Sequence, residues 1–449
     1  MGRLFGTDGV RGVANMEPMT AETALLIGRA TAHICKRHNN RHCIVIGKDT
    51  RVSGYMIENA LTAGICSMGV DVLLVGPMPT PGIAFITHSM RADAGVVISA
   101  SHNPYQDNGI KIFSRDGFKL PDTVEDEIES LVTTERIKDI RPTASEIGKA
   151  HRIDDAIGRY IVFCKNTFPE NLSLAGMKLV LDCANGATYK VAPIIFTELG
   201  AEVITINDHP NGMNINDHCG AMYPETLMET VLKTGAQAGL AFDGDGDRLI
   251  AIDEKGHQLT GDHLMTICAK SMKDCGLLRN NLVISTPMSN FGFYEAMRQL
   301  NIQTAAADVG DRYVLKLMLE RGAIIGGEQS GHIIFLNHHT TGDGIISALQ
   351  LLAILQDSGK PLSELAAIMK IAPQCLINVT VSRKPQIDSI TSLQAAIRKA
   401  EVELGNSGRV LVRYSGTQAI CRVMVESMDP ALTWRLAESL AELVKREIG

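Results

Sequence analysis

The sequence predicts an α/β protein built as three repeated, mainly parallel α/β units followed by a small C-terminal α+β domain. Three observations carry this expectation. Strand-like and helix-like segments alternate from the start of the chain, the same order of parts recurs twice more, and from about residue 371 the pattern becomes that of a hairpin between helices. At 449 residues the chain is also too long for one hydrophobic core.

In the first unit a Gly-rich opening at 5–12 precedes a helix over 20–37, a strand over 43–47 that ends in Lys48-Asp49-Thr50-Arg51, a helix over 54–68 and a strand over 71–75. After a further connecting helix comes Gly95-Val96-Val97-Ile98-Ser99-Ala100-Ser101-His102-Asn103-Pro104. Val96, Val97 and Ile98 suit a strand buried on both faces. Ser99, Ala100 and Ser101 let another group approach closely, and Pro104 forbids further ladder pairing. This is a strand that delivers a serine. The second unit runs through 179–186, 201–206 and 239–248, the third through 282–285, 303–308 and 323–332. Each third strand opens into a polar loop rich in Gly or Ser, as internal repetition would produce. In the tail, 376–381 alternates like a half-buried strand, 389–404 is a helix, and 409–412 pairs with 421–426. Asp429 and Pro430 then serve as N-cap and first residue of a last helix. The expected domains are 1–153, 154–256, 257–369 and 370–449.

Composition narrows the function. The 43 basic and 50 acidic residues give a net charge of −7, which offers no electrostatic footprint for nucleic acid or anionic membrane. No apolar run reaches membrane-spanning length. The opening lacks the apolar core of a signal peptide, and Gly6 stands where a myristoylation signal wants Ser or Thr. The ten cysteines are scattered without a Cys-x-x-Cys pair, as reduced core residues would be, so the cytoplasm is the expected compartment. A small anion still suits a local cluster.

Four loops carry chemistry. Asp243, Asp245 and Asp247 alternate with Gly244 and Gly246, so three carboxylates can turn to one point while the glycines take backbone angles other residues avoid. Such an all-oxygen cluster suits Mg²⁺ or Ca²⁺ and not zinc. An EF-hand is excluded, because Arg248 stands at its obligatory glycine and the flanks read as strands. The stretch Gly326-Gly-Glu-Gln-Ser-Gly-His332 fails as a P-loop, since His332 replaces the Lys and no hydroxyl residue follows. Glu328 and Ser330 instead offer the carboxylate and hydroxyl that fix sugar hydroxyls. The turn Arg413-Tyr-Ser-Gly-Thr417, with Arg422 beyond it, makes an anion nest suited to phosphate. Lys111 lies just downstream of Ser101 and reads equally as an ordinary surface lysine.

Residues 5–12, 99–111, 243–248, 307–313 and 326–332, in that order and spacing, resemble the α-D-phosphohexomutase family over essentially the whole chain. The resemblance implies four domains around a central cleft: a phosphoserine domain, a metal-binding domain, a sugar-binding domain and a phosphate-binding C-terminal domain. Ser101 would carry the phosphoryl group and, with Asp243, Asp245 and Asp247, hold one Mg²⁺ per chain. A sugar 6-phosphate would accept that group at O1, giving a 1,6-bisphosphate that turns over in the cleft and returns its other phosphoryl to Ser101. Glucosamine phosphate is the expected substrate, with glucosamine 1,6-bisphosphate as intermediate and activator. By the same resemblance Lys111 and His332 act as general acid and base, supported by Arg11, Arg51 and Arg248. Glu328 and Ser330 grip the sugar, and Arg413, Ser415, Gly416 and Thr417 the non-reacting phosphate. The partner is thus a small sugar phosphate, with a homodimer entertained as the assembly.

One departure is visible. The family's phosphate loop usually reads Arg-Pro-Ser-Gly-Thr-Glu-Pro, whereas this chain has Tyr414, Gln418 and Ala419 at the second, sixth and seventh places. A looser loop follows, and restoring both prolines should lower KM, unless Tyr414 supplies order by packing against a neighbouring domain. The rivals are a phosphoglucomutase or phosphomannomutase, differing at the sugar's second carbon, and a non-catalytic sugar-phosphate binder, which would need no nucleophile. An aspartyl phosphatase is disfavoured, because Asp182 lacks a partner aspartate two residues on.

Overall fold

A computed structural model describes residues 4–6, 8–36, 42–415 and 419–449. They fall into two compact parts, Met1–Met288 with Ile302–Ala367, and Ser289–Asn301 with Ile368–Gly449.

The larger part holds three sheets. The first has the order Val10–Val13, Asp107–Ser114, Ala94–Ile98, Cys43–Lys48, Asp71–Pro77, Ala150–Arg152. The last four of these run parallel to one another, and Asp107–Ser114 runs antiparallel to both its neighbours. Helix Ala21–Cys35 starts where the sequence places it, with the Thr20 hydroxyl accepting from the Thr23 amide at 3.2 Å. Its apolar face enters a core with Ile44, Ile46, Val96 and Ile98. The second sheet runs Gln258–Leu259, Leu249–Asp253, Ala238–Phe242, Lys178–Asp182, Glu202–Ile206, and the third Gln303–Ala306, Leu282–Ser285, Ile325–Gly327, Ile333–Phe335.

The repetition is real, and it contains a feature that periodicity alone does not reveal. Each third strand leaves through its polar loop and comes straight back as an antiparallel neighbour: Ala94–Ile98 to Asp107–Ser114, Ala238–Phe242 to Leu249–Asp253, Ile325–Gly327 to Ile333–Phe335. An antiparallel return needs only a short loop, whereas another parallel strand would need a crossover of a dozen residues or more. The chemical loops of the three repeats are therefore pinned at both ends by paired, buried strands, which fixes where their side chains point.

The smaller part is a three-stranded antiparallel sheet, Gln374–Thr380, Ile420–Ser427, Gly408–Tyr414, with Thr391–Leu404 and Pro430–Ile448 closing its core. Asp429 caps the last helix, accepting from the amides of Ala431 at 2.9 Å and Leu432 at 3.2 Å, with Pro430 at the first position as the sequence predicts. Helix Phe291–Gln299, which joins two strands of the third sheet, packs with this part. Buried Glu426 ties it there, accepting from the Phe291 amide at 3.0 Å and pairing with Arg409 at 2.7 Å.

Candidate active site

The serine strand ends with Ser101 in the left-handed region, at φ 52°, a conformation that costs a non-glycine residue about 1 kcal/mol or more. Its surroundings hold it there. The Ser101 amide donates to Ser99 Oγ at 2.9 Å, and its carbonyl accepts from Asn216 Nδ2 at 2.9 Å and Arg51 Nη2 at 3.2 Å. The hydroxyl so aimed donates to Asp243 Oδ2 at 2.7 Å and lies 3.3 Å from His102 Nδ1. Burial, helped by the cations of Arg248 and Arg11, pushes His102 down to about 4, so its ring is neutral. Arg51, expected among the supporting cations, is wholly buried behind the loop, where it pairs with Asp49 and binds the Ser101 and Asn103 carbonyls. It acts on the loop's backbone and does not line the cavity.

Asp243, Asp245 and Asp247 are buried together with carboxylate oxygens within 4.8 Å of one another. Gly246 takes the left-handed backbone the alternation demands, at φ 72°, but Gly244 does not. Its reason is space: a Cβ there would sit 2.7 Å from the Ser101 carbonyl oxygen, so glycine lets the two loops touch. Asp245 Oδ2 accepts from Thr80 Oγ1 at 2.7 Å and from Lys111 Nζ at 2.9 Å. Lys111 is no surface lysine; it is buried, and also reaches Asp8 at 3.2 Å and Asp247 at 3.8 Å. Burial opposes charge on both Lys111 and Asp245, yet their mutual attraction outweighs it, raising the lysine and lowering the aspartate. Asp243 goes the other way, raised well above the carboxylate range by burial and by the charges of Asp247 and Asp245. Oδ1 of Asp245 and Oδ1 of Asp247 are buried without a hydrogen-bond partner among the described residues. Mutually repelling carboxylates with unused buried oxygens fit a hard divalent cation such as Mg²⁺, with Ser101 Oγ beside them.

The third repeat supplies the opposite wall. Glu328 Oε1 accepts from the Gly310 amide at 3.0 Å, and Ser330 Oγ stands 3.5 Å from Glu328 Oε2. His332 places Nδ1 3.5 Å from Asp247 Oδ2 and Nε2 3.8 Å from Asp311 Oδ2. Burial disfavours its charged form, but Asp247, Asp311 and Glu328 prevail and push it up to about 9. Arg248 lies 3.9 Å from both Asp243 and Asp247, and Arg11 pairs with Asp8. A cavity of about 450 Å³ brings Arg11, Ser101, Asp247, Arg248, Glu328 and His332 to one surface, with Asp8 and Asp311 among them. Lys111 lies beneath that surface. Sequence reading missed Asp8, Lys119 and Asp311; the first and last stand in stretches that carry the family resemblance, which was the available signal.

Of the phosphate-nest residues, Arg413 and Arg422 face each other across the C-terminal hairpin as direct cross-strand partners. Ser415 donates its amide to the Ile420 carbonyl at 2.9 Å, and its own carbonyl accepts from Lys384 at 2.7 Å. Gly416, Thr417 and Gln418 lie outside the described residues.

Comparison with known proteins decides what this arrangement belongs to. Four family models match in order, described as phosphoglucomutase/phosphomannomutase alpha/beta/alpha domains I (residues 2–139), II (158–256) and III (260–371) and the C-terminal domain (376–443). The chain is 61% identical over 449 residues to the phosphoglucosamine mutase of Syntrophus aciditrophicus, all of both chains, and 59% identical to that of Syntrophotalea carbinolica, covering 100% of this chain and 98% of the other. The chain belongs to the phosphoglucomutase/phosphomannomutase family. It is an enzyme of the mutase class. A phosphoglucomutase/phosphomannomutase family protein from Burkholderia thailandensis shares its fold at TM-score 0.81 and 24% identity, over 99% of this chain and 97% of that one. The N-acetylphosphoglucosamine mutase of Aspergillus fumigatus, solved with GlcNAc-6P and magnesium, follows at TM-score 0.67 and 19% identity, over 99% and 95%.

Against the phosphoglucomutase/phosphomannomutase loop pattern, Tyr414 proves to be a packing residue of its own domain. It closes strand Gly408–Tyr414, lies against the C-terminal core and buries its hydroxyl. Tyr414→Pro with Ala419→Pro is expected to lower the unfolding free energy by about 2 kcal/mol without lowering KM for the sugar phosphate. Denaturant melts beside steady-state kinetics check this; a tighter KM at unchanged stability would contradict it.

Proposed function

We propose that the protein interconverts glucosamine 6-phosphate and glucosamine 1-phosphate through a phosphoserine at Ser101 and glucosamine 1,6-bisphosphate, on the route to UDP-N-acetylglucosamine. The observation that carries the chemistry is the Ser101 hydroxyl, held 2.7 Å from Asp243 in a buried three-aspartate cluster at the floor of a polar cavity. The choice of glucosamine rests on the full-length likeness to phosphoglucosamine mutases. Asp243, Asp245, Asp247 and Ser101 Oγ would hold one Mg²⁺, which when bound offsets the charge that develops on a transferring phosphoryl group.

In the forward direction the phosphoryl group leaves Ser101 Oγ as its bond to sugar O1 forms, and the O1 proton passes to a neighbouring base. Lys111 and His332 both flank Asp247 Oδ2 and rest protonated, so one of them first gives its proton to the departing Ser101 Oγ and then takes the O1 proton in its place. The bisphosphate then reverses its orientation, and the phosphoryl on O6 passes to Ser101 Oγ while O6 regains a proton. Glu328 and Ser330 grip the sugar hydroxyls, Arg11 and Arg248 line its path, and Arg413, Ser415, Gly416, Thr417 and Arg422 take the phosphate that is not reacting. The four domains 1–153, 154–256, 257–369 and 370–449 divide these tasks. With ten unbridged cysteines a reducing compartment suits the chain, and we assign it to the cytoplasm.

A coupled assay across the phosphates of glucosamine, glucose and mannose tests the reading. The highest kcat/KM is expected for glucosamine phosphate. Equal or better turnover of glucose or mannose phosphate would make the protein a phosphoglucomutase or phosphomannomutase, and binding without any turnover would make it a sugar-phosphate binder.

A further inference from the structure

Six charged side chains from different parts of the chain close into a ring of alternating sign. Lys111 Nζ reaches Asp8 at 3.2 Å, and Asp8 pairs with Lys119. Lys119 pairs in turn with Asp311, whose Oδ2 lies 3.8 Å from His332 Nε2. His332 Nδ1 stands 3.5 Å from Asp247 Oδ2, and Asp247 Oδ2 returns to Lys111 Nζ at 3.8 Å. We propose that Lys119 and Asp311 are positioning residues for phosphoryl transfer, closing a charged ring that fixes Lys111 and His332 relative to each other across the boundary between the first and third repeats. This rests on the mutase reading for the roles of those two groups.

The ring is an expensive way to obtain stability. Burying a lysine between two carboxylates loses hydration that their attraction must first offset, and apolar side chains of like volume would often do as well. What six alternating charges supply instead is orientation, because each partner has one geometry that satisfies both its neighbours. The backbone supports this use. After strand Asp107–Ser114 the chain turns at Gly117, φ 76°, and comes back so that Lys119 bridges to Phe113, beside the strand that carries Lys111. Asp311 opens helix Asp311–Arg321 directly after Gly310, whose amide binds Glu328. The ring therefore joins the proton-transfer groups to the sugar-binding loop. Of its two longest links, both 3.8 Å, Lys111 to Asp247 joins the first and second repeats and Asp311 to His332 joins a helix start to the third catalytic loop. Next to Asp311, the Arg312 guanidinium makes a separate tie between the same repeats, to Asp122 and to Glu125 at 2.7 Å, while only its backbone amide, which a substitution keeps, binds Asp311.

That neighbour provides the control. Lys119→Met and Asp311→Asn are each expected to lower kcat about ten- to a hundredfold with KM for glucosamine 6-phosphate within about threefold, since misplacement of reacting groups has effects of this size. Lys119→Arg should recover most of the rate. The double variant should be no slower than the slower single variant, because a ring broken once is already open. Arg312→Met should lower the melting temperature while changing kcat by less than about threefold. The proposal is overturned if neither single variant loses more than about threefold in kcat, if the losses multiply in the double variant, or if Arg312→Met slows turnover as much as Asp311→Asn. Amide hydrogen exchange of residues 309–313 and 329–333 gives a second readout that needs no substrate: both ring variants should exchange faster there than wild type, and unchanged exchange overturns the ring. A wild-type enzyme inactive on all three sugar phosphates would refute the mutase reading alone and leave that exchange test standing. If Lys119→Met does not fold, Asp311→Asn decides.

Discussion

Ser101→Ala is expected to abolish mutase turnover, by at least about a thousandfold, while the protein still folds. The hydroxyl is placed by a strained backbone held through three hydrogen bonds, from Asn216 and Arg51 to the carbonyl and from the amide to Ser99. No other hydroxyl among the described residues donates to Asp243. Removing it forfeits one charge-assisted bond, about 1.5–3 kcal/mol, which a chain of this size can bear. Part of the purified wild-type protein should weigh about 80 Da more than its sequence, the mass of a phosphoryl group, and the variant should not. Ser99→Ala is the informative companion. It loosens the loop without touching the reacting atom, so it should keep the extra mass and lose only about tenfold in rate. Peptide mapping that puts the phosphoryl group elsewhere, or turnover by Ser101→Ala when bisphosphate is supplied, would remove Ser101 from the mechanism.

What could be read from the sequence was whatever a short stretch encodes by itself. The serine strand announces itself by Val96, Val97 and Ile98 running into small polar residues, and the structure makes it a strand from Ala94 to Ile98, buried throughout. Three aspartates spaced by glycines encode their own convergence, and Asp429 with Pro430 encodes a helix start. The partners that tertiary closure creates were not legible. Lys119 meets Asp8 and Asp311 across separations of 111 and 192 residues, and nothing local to any of the three foretells it. Lys111 looks like a surface lysine because only the return strand, paired from Asp107 to Ser114, takes it inside. Arg51 is expected by resemblance to be a supporting cation, and it binds carbonyls and Asp49 behind the loop. Gly244 was assigned a backbone reason when its real constraint is the Ser101 carbonyl of another repeat. For Lys111, Arg51 and Gly244 the residue was noticed and the missing information was its neighbour, whereas Asp8, Lys119 and Asp311 were not singled out at all.

Stripping divalent cations from the protein is expected to lower both its activity and its melting temperature. Asp243, Asp245 and Asp247 crowd buried carboxylate oxygens within 4.8 Å, and the repulsion is visible in Asp243, pushed well up by burial and by its two neighbours. Lys111 pairs with Asp245, and Arg248 and His332 stand beside Asp247 at 3.9 and 3.5 Å, yet two buried carboxylate oxygens of the cluster have no hydrogen bond among the described residues. A cation that binds only the folded state adds about 2.7 kcal/mol at a hundred times its Kd, which for a chain of this length is on the order of 5 °C. Mg²⁺ added back to chelated protein should restore that shift in a thermal melt, and Asp245→Asn should abolish most of it along with at least about a hundredfold of the turnover. Zinc should bind the cluster yet restore little activity, because it prefers nitrogen and sulfur ligands and lower coordination. The melt separates the two roles the aspartates could play. If Asp245→Asn raises the melting temperature of the chelated protein while losing the Mg²⁺ shift, the three carboxylates are kept together for a cation against their own repulsion. If the chelated protein keeps its rate and shows no shift with Mg²⁺, they are structural partners of Lys111, Thr80 and Arg248 and nothing more.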